Sequence, residues 1–182
     1  ATLRRQRQMC IRDRKHICHL AKRTNFFDDY ISLSPTDLSL DFQNKFSDVL
    51  SKSVGAGYFL WKYKIIQETL SQTNENDVVF YIDAGSTINY NSSKKLDEYY
   101  EKLLSGNQSH LAFRMKHITE KFYTTKELFD YFNLTTKSKE ANEGQFMGGV
   151  LMFKNCQDSF GLLDEFEKVV LTDPKLITDY YS

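Results

Sequence analysis

The sequence predicts an α/β protein in which helices flank a mainly parallel β-sheet. Its 182 residues, of which 41% are hydrophobic and 26% charged, are enough for one globular domain with a core. The short apolar run Val78–Ile82 lies between polar residues, as is typical of a strand buried on both faces. Strand-like runs alternate with helical patterns along the chain, and this order favours a parallel sheet.

Two of the predicted helices begin at capping signals. Ser34-Pro35-Thr36-Asp37 combines a capping hydroxyl, a proline at the first helical position and an acid in the first turn. Thr124-Thr-Lys-Glu127 has the spacing of a capping box and opens a helix at 128–132. Apolar spacing extends the helix after Ser34 to about Leu50, and it predicts further helices at 15–25, 58–70, 93–104 and 155–171.

Four runs are predicted as strands. They are a short strand after a turn at 25–31, the central run 78–82, and the runs 111–115 and 145–153. The last run contains Gly148 and Gly149, and glycine inside a strand often marks the close approach of a ligand or of another backbone.

The first fourteen residues differ from the rest of the chain. They hold five arginines, whereas only Arg23 and Arg114 occur afterwards. The segment 9–14 resembles the translated sequence of a transposon adapter used in sequencing libraries. We therefore expect residues 1–14 to be non-native and residues 15–182 to form the domain. A basic arm or a targeting peptide is the alternative, but Asp13 and the missing apolar stretch argue against a secretory signal.

Charge and cysteine content exclude several classes of function. Lys plus Arg and Asp plus Glu both number 24, so the balanced charge argues against a nucleic-acid partner. No apolar run approaches the roughly 20 residues of a membrane span. Cys10, Cys18 and Cys156 have no CxxC spacing, which indicates neither a zinc site nor a disulfide framework. A reducing, cytoplasmic location is expected.

Asp83 is the strongest candidate for a functional residue. It follows the run 78–82 directly, and in open α/β sheets ligands bind just beyond the carboxyl ends of the strands. Gly85 would let a bulky ligand approach the backbone. The alternative interpretation is an Asp-Gly turn that only ends the strand. Serine-protease, nucleophile-elbow, Walker and HExxH patterns do not occur, and the four histidines are scattered.

A site for a nucleotide-diphosphate sugar fits the remaining signals. The two phosphates of such a donor need a divalent cation or cationic side chains, and Asp83 is of a type that binds a hard cation. Lys62 can meet a phosphate as a point charge. Gly148 and Gly149 would allow a sugar or an acceptor close to the backbone.

Two blocks of the sequence resemble a family of bacterial and giant-virus glycosyltransferases. Gly55-Ala-Gly-Tyr-Phe-Leu-Trp-Lys62 is similar to the family's Gly-Tyr-Gly-Tyr-Trp-Leu-Trp-Lys-Pro, and Tyr81-Ile-Asp83-Ala-Gly85 is similar to its Leu-Asp-Ala-Gly-Cys. The segments 124–132 and 145–149 also resemble later blocks, so the likeness covers about residues 15–155. It implies a Rossmann-like GT-A fold and a Mn²⁺ or Mg²⁺ ion. It also implies a nucleotide-sugar donor and a glycan acceptor for surface polysaccharide, with a location possible at the inner face of the membrane.

The resemblance also implies roles for individual residues. Asp83 takes the place of the first acid of an Asp-x-Asp element, which contacts the metal or the donor, and Gly85 stands where the second acid would be. Lys62 and Trp61 would lie near the donor pocket. Residues on the sugar or acceptor side would be Gln145, Gly148 and Gly149. No catalytic base is implied.

Some departures from the family pattern bear on activity. Tyr63 replaces a proline and Ser86 replaces a cysteine. The family's first strand would lie before Lys15, and a later His-Asp-Gln block has no counterpart here, so we expect the domain to be incomplete at both ends.

Two alternatives to a glycosyltransferase stay open at this point. One is a carbohydrate- or nucleotide-binding module, or a fragment without a complete site. The other is a sugar-kinase or actin-like phosphate loop at Asp83-Ala-Gly85-Ser-Thr87, which would require a β-hairpin directly after Thr87.

Overall fold

The computed structural model describes the backbone of residues 2–91 and 93–181 and the side chains of residues 12–91 and 93–181. Its helices are α1 (Thr2–Thr24), α2 (Leu40–Lys45), α3 (Ser47–Leu50), α4 (Gly55–Tyr58), α5 (Trp61–Leu70), α6 (Ser93–Ser105), α7 (Lys126–Tyr131) and α8 (Gln157–Thr172). Its strands are β1 (Val78–Ile82), β2 (His110–Thr119) and β3 (Gly144–Lys154). Short 3-10 turns lie at Pro35–Asp37, Glu120–Phe122, Glu140–Asn142, Pro174–Ile177 and Asp179–Tyr181.

The three strands form one antiparallel sheet in the order β1-β3-β2. Tyr81 of β1 pairs with Leu151 of β3, and Leu111 of β2 pairs with Met152 of β3. The prediction of a mainly parallel, Rossmann-like GT-A sheet is therefore wrong for the described part of the chain. Alternating strands and helices give a parallel sheet only when the connecting helix crosses back over the sheet. Here β3 returns between β1 and β2 and runs opposite to both.

The helix predicted from Ser34 to Leu50 is broken into three short pieces. Leu38 adopts an extended ψ of 159° and ends the first 3-10 turn. Ser39 then caps α2 by accepting a hydrogen bond from the N–H of Phe42 at 3.3 Å. A second interruption at Phe46 separates α2 from α3. The apolar period is continuous across these breaks, which explains why the sequence predicts one helix.

The predicted strand at 25–31 is also absent, because those residues form an irregular segment. Its aromatic side chains pack on the sheet instead. The ring of Phe27 stacks on Phe80 of β1, with centroids 5.4 Å apart and planes 7° from parallel. The apolar content of the segment therefore reflects packing of its side chains and not strand pairing.

The sheet lies between two apolar layers. On one face, α2, α5 and α8 form the main core around Leu60, Ile66, Leu70 and Val170, which are almost fully buried. Val79 and Tyr81 of β1 pack against that core. On the other face lie Phe27 and helix α6, whose Tyr99 contacts Phe113 of β2 with ring centroids 5.2 Å apart. Within the described residues, no helix combines the length and apolarity needed to cross a bilayer.

Candidate functional site

The carboxyl end of β1 holds Asp83 against the neighbouring strand. Its N–H donates to the carbonyl of Gly149 on β3 at 2.8 Å. Because side chains alternate along a strand, Tyr81 lies on the same face as Asp83. The Tyr81 hydroxyl donates to Oδ1 of Asp83 at 2.5 Å. Burial raises the pKa of Tyr81 well above its ordinary value, and the hydrogen bond to Asp83 and the charge of that carboxylate raise it further.

The segment from Gly55 to Phe59, which includes the short element α4, forms a left-handed turn before α5 and lies on the second side of the site. Five consecutive residues from Gly55 to Phe59 have φ between 51° and 99°. Glycine adopts this region freely, whereas residues with a Cβ pay about 1–2 kcal/mol each. The turn is closed by Phe59 N–H donating to Gly55 O at 3.2 Å, and the Trp61 indole N–H donates to the same carbonyl at 3.1 Å. The helix predicted from Tyr58 consequently begins at Trp61.

Lys62 connects the first turn of α5 to the end of β1 and to β3. Its Nζ lies 2.8 Å from Oδ1 and 2.9 Å from Oδ2 of Asp83, and it donates to the carbonyl of Gly148 at 3.2 Å. The ammonium group also lies 4.2 Å from the centroid of the Phe59 ring. The side chain of Lys62 is 14% exposed and that of Asp83 is 35% exposed, so the carboxylate is the more accessible partner.

The glycines beside this ion pair differ in what surrounds them. A Cβ built on Gly149 would lie 3.0 Å from Oδ2 of Asp83, a tight contact that the absence of a side chain avoids. A Cβ on Gly148 or on Gly85 would meet nothing within 4 Å. The backbone therefore leaves open space at Gly148, whose carbonyl accepts from Lys62, and at Gly85, two residues after Asp83.

The structure brings together only part of the predicted site. Lys62 contacts Asp83 and Gly148, and Asp83 contacts Gly149. Gly85 lies in the exposed turn that follows Asp83. Trp61 packs against the main core. Trp61 is therefore a packing residue, and its indole N–H also helps to close the left-handed turn.

Gln145 takes part in a separate cluster. Its side-chain amide donates to Oε1 of Glu120 at 3.1 Å, and the Thr124 hydroxyl donates to the same oxygen. Gln145 lies four residues before Gly149 on β3, and none of its hydrogen bonds reaches the Lys62–Asp83 pair. Of the residues inferred for the sugar or acceptor side, Gln145 is therefore offset along the strand from the charged pair, whereas Gly148 and Gly149 lie beside it.

Sequence reasoning missed two side chains of the site. Tyr81 could have been found, because a residue two positions before Asp83 in a strand shares its face. Phe59 could not, since its position over Lys62 depends on a left-handed conformation that its residue type does not favour. The Phe59 side chain is 47% exposed although it is apolar, which makes it available for stacking.

The donor set fits a divalent cation poorly. Magnesium and manganese prefer several oxygen ligands, and both oxygens of Asp83 already accept from Lys62, with Tyr81 donating to one of them. Among the described residues there is no group of three or more His, Cys, Asp or Glu side chains placed to hold a metal ion. A cation at Asp83 would have to displace the Lys62 ammonium group.

Two surface cavities lie away from this pair. One of about 250 Å³ is bordered by Asn76, Ser109 and Lys154 among others, and one of about 120 Å³ lies between Leu33 and α5. Neither is lined by Lys62, Asp83 or Gly148.

The chain was compared with protein family models, with curated proteins and with solved structures. None of the three comparisons gives a match. The functional assignment consequently rests on the residues of the site and on the sequence resemblance.

Proposed function

We propose that this domain is a glycosyltransferase that binds a nucleotide-diphosphate sugar at the Lys62–Asp83 pair and transfers the sugar to a glycan acceptor. The observation that carries the proposal is the position of Lys62. Its ammonium group contacts Asp83, 21 residues away along the chain, and Gly148, 86 residues away. Three sequence segments that share a resemblance to glycosyltransferases therefore meet at one charged group.

The chemistry of the pair suits the proposed donor. A diphosphate leaving group carries negative charge that a nearby cation stabilises, and Lys62 supplies such a charge from the protein itself. Asp83 accepts hydrogen bonds, so its more exposed carboxylate would bind hydroxyl groups of the ribose or of the sugar. The open space beside Gly85 and Gly148 leaves room for the sugar, and the exposed ring of Phe59 offers an apolar face for stacking.

We propose that Lys62 neutralises the negative charge of the diphosphate, in place of the metal ion expected from the sequence. The donor's phosphates would compete with Asp83 for the Lys62 ammonium group. When they bind, Asp83 would be released to contact hydroxyl groups. This exchange of partners requires no ligand other than the donor.

Calorimetric titration with UDP, GDP and dTDP tests the donor site, in the presence and in the absence of Mn²⁺. We expect at least one nucleotide to bind without Mn²⁺, and the variants Lys62→Ala and Asp83→Ala to weaken that binding at least tenfold. Glu75→Ala is the control, because Glu75 is exposed and precedes the same strand. Unchanged binding by Asp83→Ala would show that the site is wrongly assigned.

A binding module without transfer activity is the second candidate. It is favoured by one observation: Asp83 is the single acid at the pair, and its carboxylate accepts hydrogen bonds from Lys62 and Tyr81 in the absence of a donor. Incubation with UDP-sugars, GDP-sugars and oligosaccharide acceptors separates the two functions. Release of free nucleoside diphosphate together with a lengthened glycan indicates transfer, and donor binding without either product indicates the module.

The described residues do not contain the strand that the phosphate-loop alternative requires. It needs a strand directly after Thr87, but residues 83–91 contain no strand and lead to helix α6 at Ser93.

A further inference from the structure

Strand β3 leaves its pairing with β2 next to the candidate site. Ala112 of β2 pairs with Leu151 of β3, and Arg114, two residues further along β2, pairs with Phe146. A single residue of β2 therefore lies opposite residues 147–150 of β3, which form a bulge. Bulges re-aim side chains and are frequent next to active sites. The bulge thus changes the face of the sheet on which the earlier residues of β3 lie.

This bulge places Phe146 on the main-core face of the sheet. Side chains alternate along a strand, so Ala112 and Arg114 of β2 lie on the same face. Directly paired residues share a face, so Leu151 and Phe146 lie on that face as well. Leu151 packs against the main core. Phe146 therefore lies on the main-core face, although regular alternation along β3 would place it on the other one.

The Lys62–Asp83 pair lies on this same face. Tyr81 packs against the main core, and its hydroxyl donates to Asp83. Lys62 contacts Asp83 and the carbonyl of Gly148. Phe146 precedes Gly148 by two residues, so at most about 7 Å of backbone separates the two positions. A ligand bound at the charged pair and extending along β3 would consequently reach Phe146 next.

Phe146 presents an aromatic ring that is exposed and held in place. The residue is 56% exposed. The guanidinium carbon of Arg114 lies 4.8 Å from the centroid of the ring, and Nη1 of Arg114 lies 2.5 Å from Oε2 of Glu143. Arg114 therefore covers one face of the ring and leaves the opposite face for a ligand. We call Phe146, Arg114 and Glu143 the Phe146 surface.

Gln145, which the sequence assigns to the sugar or acceptor side, lies on the other face of the sheet. It pairs with Met115, the residue that follows Arg114 on β2. Consecutive residues of a strand point to opposite faces. Of the two neighbours on β3, Phe146 and not Gln145 therefore shares a face with the Lys62–Asp83 pair.

We propose that the Phe146 surface binds the glycan acceptor, with a sugar ring stacked on Phe146 and its hydroxyl groups bonded to Arg114 and Glu143. This inference rests on the function proposed above, which places the transferred sugar beside Gly148. The acceptor must lie next to that sugar, and Phe146 is the exposed aromatic residue that follows along β3. A sugar ring carries C–H groups on its face and hydroxyl groups at its edge. An aromatic ring beside a guanidinium and a carboxylate offers a partner for each of these groups.

The base of the donor is the competing occupant, because a nucleobase also stacks on an aromatic ring. In a nucleotide sugar, the base and the sugar lie at opposite ends of the diphosphate. With the phosphates at Lys62 and the sugar beside Gly148, the base would extend away from Gly148. The position of Phe146 on the Gly148 side of the pair therefore favours the acceptor.

NMR titration of the whole chain with maltotetraose, cellotetraose and chitotetraose tests the Phe146 surface, each at about 10 mM because isolated sugars bind weakly. We expect at least one tetrasaccharide to shift the ring signals of Phe146 and the Nε–H signal of Arg114. Phe146→Ala should weaken that tetrasaccharide about fivefold, whereas Phe146→Trp should retain it because a stacking face remains. Phe132→Ala is the matched control and should leave its affinity unchanged, since Phe132 is similarly exposed and lies at the end of α7.

Absence of binding by all three tetrasaccharides, or equal losses in Phe146→Ala and Phe132→Ala, would overturn the inference. A loss of UDP, GDP or dTDP affinity in Phe146→Ala as large as the loss for the tetrasaccharide would also overturn it, because the ring would then stack on the base. The nucleotide titrations keep the two proposals apart. Tetrasaccharide binding without nucleotide binding would refute the glycosyltransferase and retain a glycan site at Phe146, whereas nucleotide binding without tetrasaccharide binding would refute only the Phe146 surface.

Discussion

The Nζ atom of Lys62 lies 2.8 Å from Oδ1 of Asp83, which fixes the start of α5 against the end of β1. Both side chains are partly shielded from water, and the same ammonium group is held by Gly148 O at 3.2 Å. A charge-assisted contact of this kind is stronger than an ion pair on an open surface, because its partners are already held in place by the strands and the helix.

A double-mutant cycle on Lys62→Met and Asp83→Asn measures this contact. We expect a coupling of about 1 kcal/mol in the free energy of unfolding, since Asp83 is still partly solvated. The matched control is Lys126–Asp130, an exposed pair within α7 with side chains 80% and 57% exposed. Urea denaturation of the variants should give a clearly smaller coupling for the control. Equal coupling in the two pairs would mean that Lys62 and Asp83 do not form the described contact in solution.

Alanine at Gly149 should disturb the site, whereas alanine at Gly148 should not. The Cβ of Gly149→Ala would press on Oδ2 of Asp83 and turn the carboxylate away from Lys62, whereas Gly148→Ala points into open space. We expect Gly149→Ala to weaken nucleotide binding several-fold, and Gly148→Ala to stay within about 0.5 kcal/mol of wild-type stability. Calorimetry and urea denaturation check the two effects. The titrated nucleotides lack the sugar that we place beside Gly148, so loss of their binding in Gly148→Ala would show that the nucleotide itself occupies that space.

Because of the left-handed turn, we expect substitutions at Gly57 and at Ala56 to have opposite effects on stability. Gly57 has φ of +99°, and a Cβ there would lie 2.7 Å from the Cα of Leu50, so Gly57→Ala should cost more than about 2 kcal/mol. Ala56 has φ of 51° despite its Cβ, and Ala56→Gly should stabilise the fold by up to about 1 kcal/mol. Thermal or urea denaturation followed by Trp61 fluorescence measures both, since Trp61 contacts the turn and is the single tryptophan. Destabilisation by Ala56→Gly would argue against the left-handed conformation.

Three of the four strand positions predicted from the sequence are correct and the one at 25–31 is not, whereas strand direction could not be read from the sequence. The run 78–82 was predicted with the bounds that β1 has, because Asp77 and Asp83 end the apolar stretch on both sides. The predicted strands 111–115 and 145–153 were found within β2 and β3. Apolar patterns describe which faces are covered and carry no information on whether β3 runs with or against its neighbours.

The segments that form the candidate site could be predicted from the sequence, but the contacts between their residues could not. The charge of Lys62, the acid at a strand end and the paired glycines each have a signal in the sequence, and the three were found together. Their contacts depend on a turn in which Ala56, Tyr58 and Phe59 adopt positive φ, which only Gly55 and Gly57 hint at. Long-range packing selects that conformation against the local preference of the three residues.

Tyr81 should make the stability of the fold depend on alkaline pH. Burial first, and then its hydrogen bond to Asp83, raise the pKa of Tyr81 above its ordinary value near 10.0. The folded state therefore holds this proton more tightly than the unfolded state does. The resulting stability is complete below about pH 10 and is lost as the pH rises above it. Tyr63, raised in pKa by burial and by Glu167, contributes in the same direction.

Urea denaturation at about pH 8 and about pH 11 tests this dependence. The free energy of unfolding of the wild type should fall between the two, and Tyr81→Phe should show a smaller fall because no buried hydroxyl remains at that position. At the lower pH the same variant should be about 1 kcal/mol less stable, since Asp83 loses a donor. The exposed Tyr123→Phe is the control and should keep the wild-type dependence. An unchanged fall in Tyr81→Phe would show that the Tyr81 hydroxyl is not held beside Asp83, and the carboxylate would then be positioned by Lys62 alone.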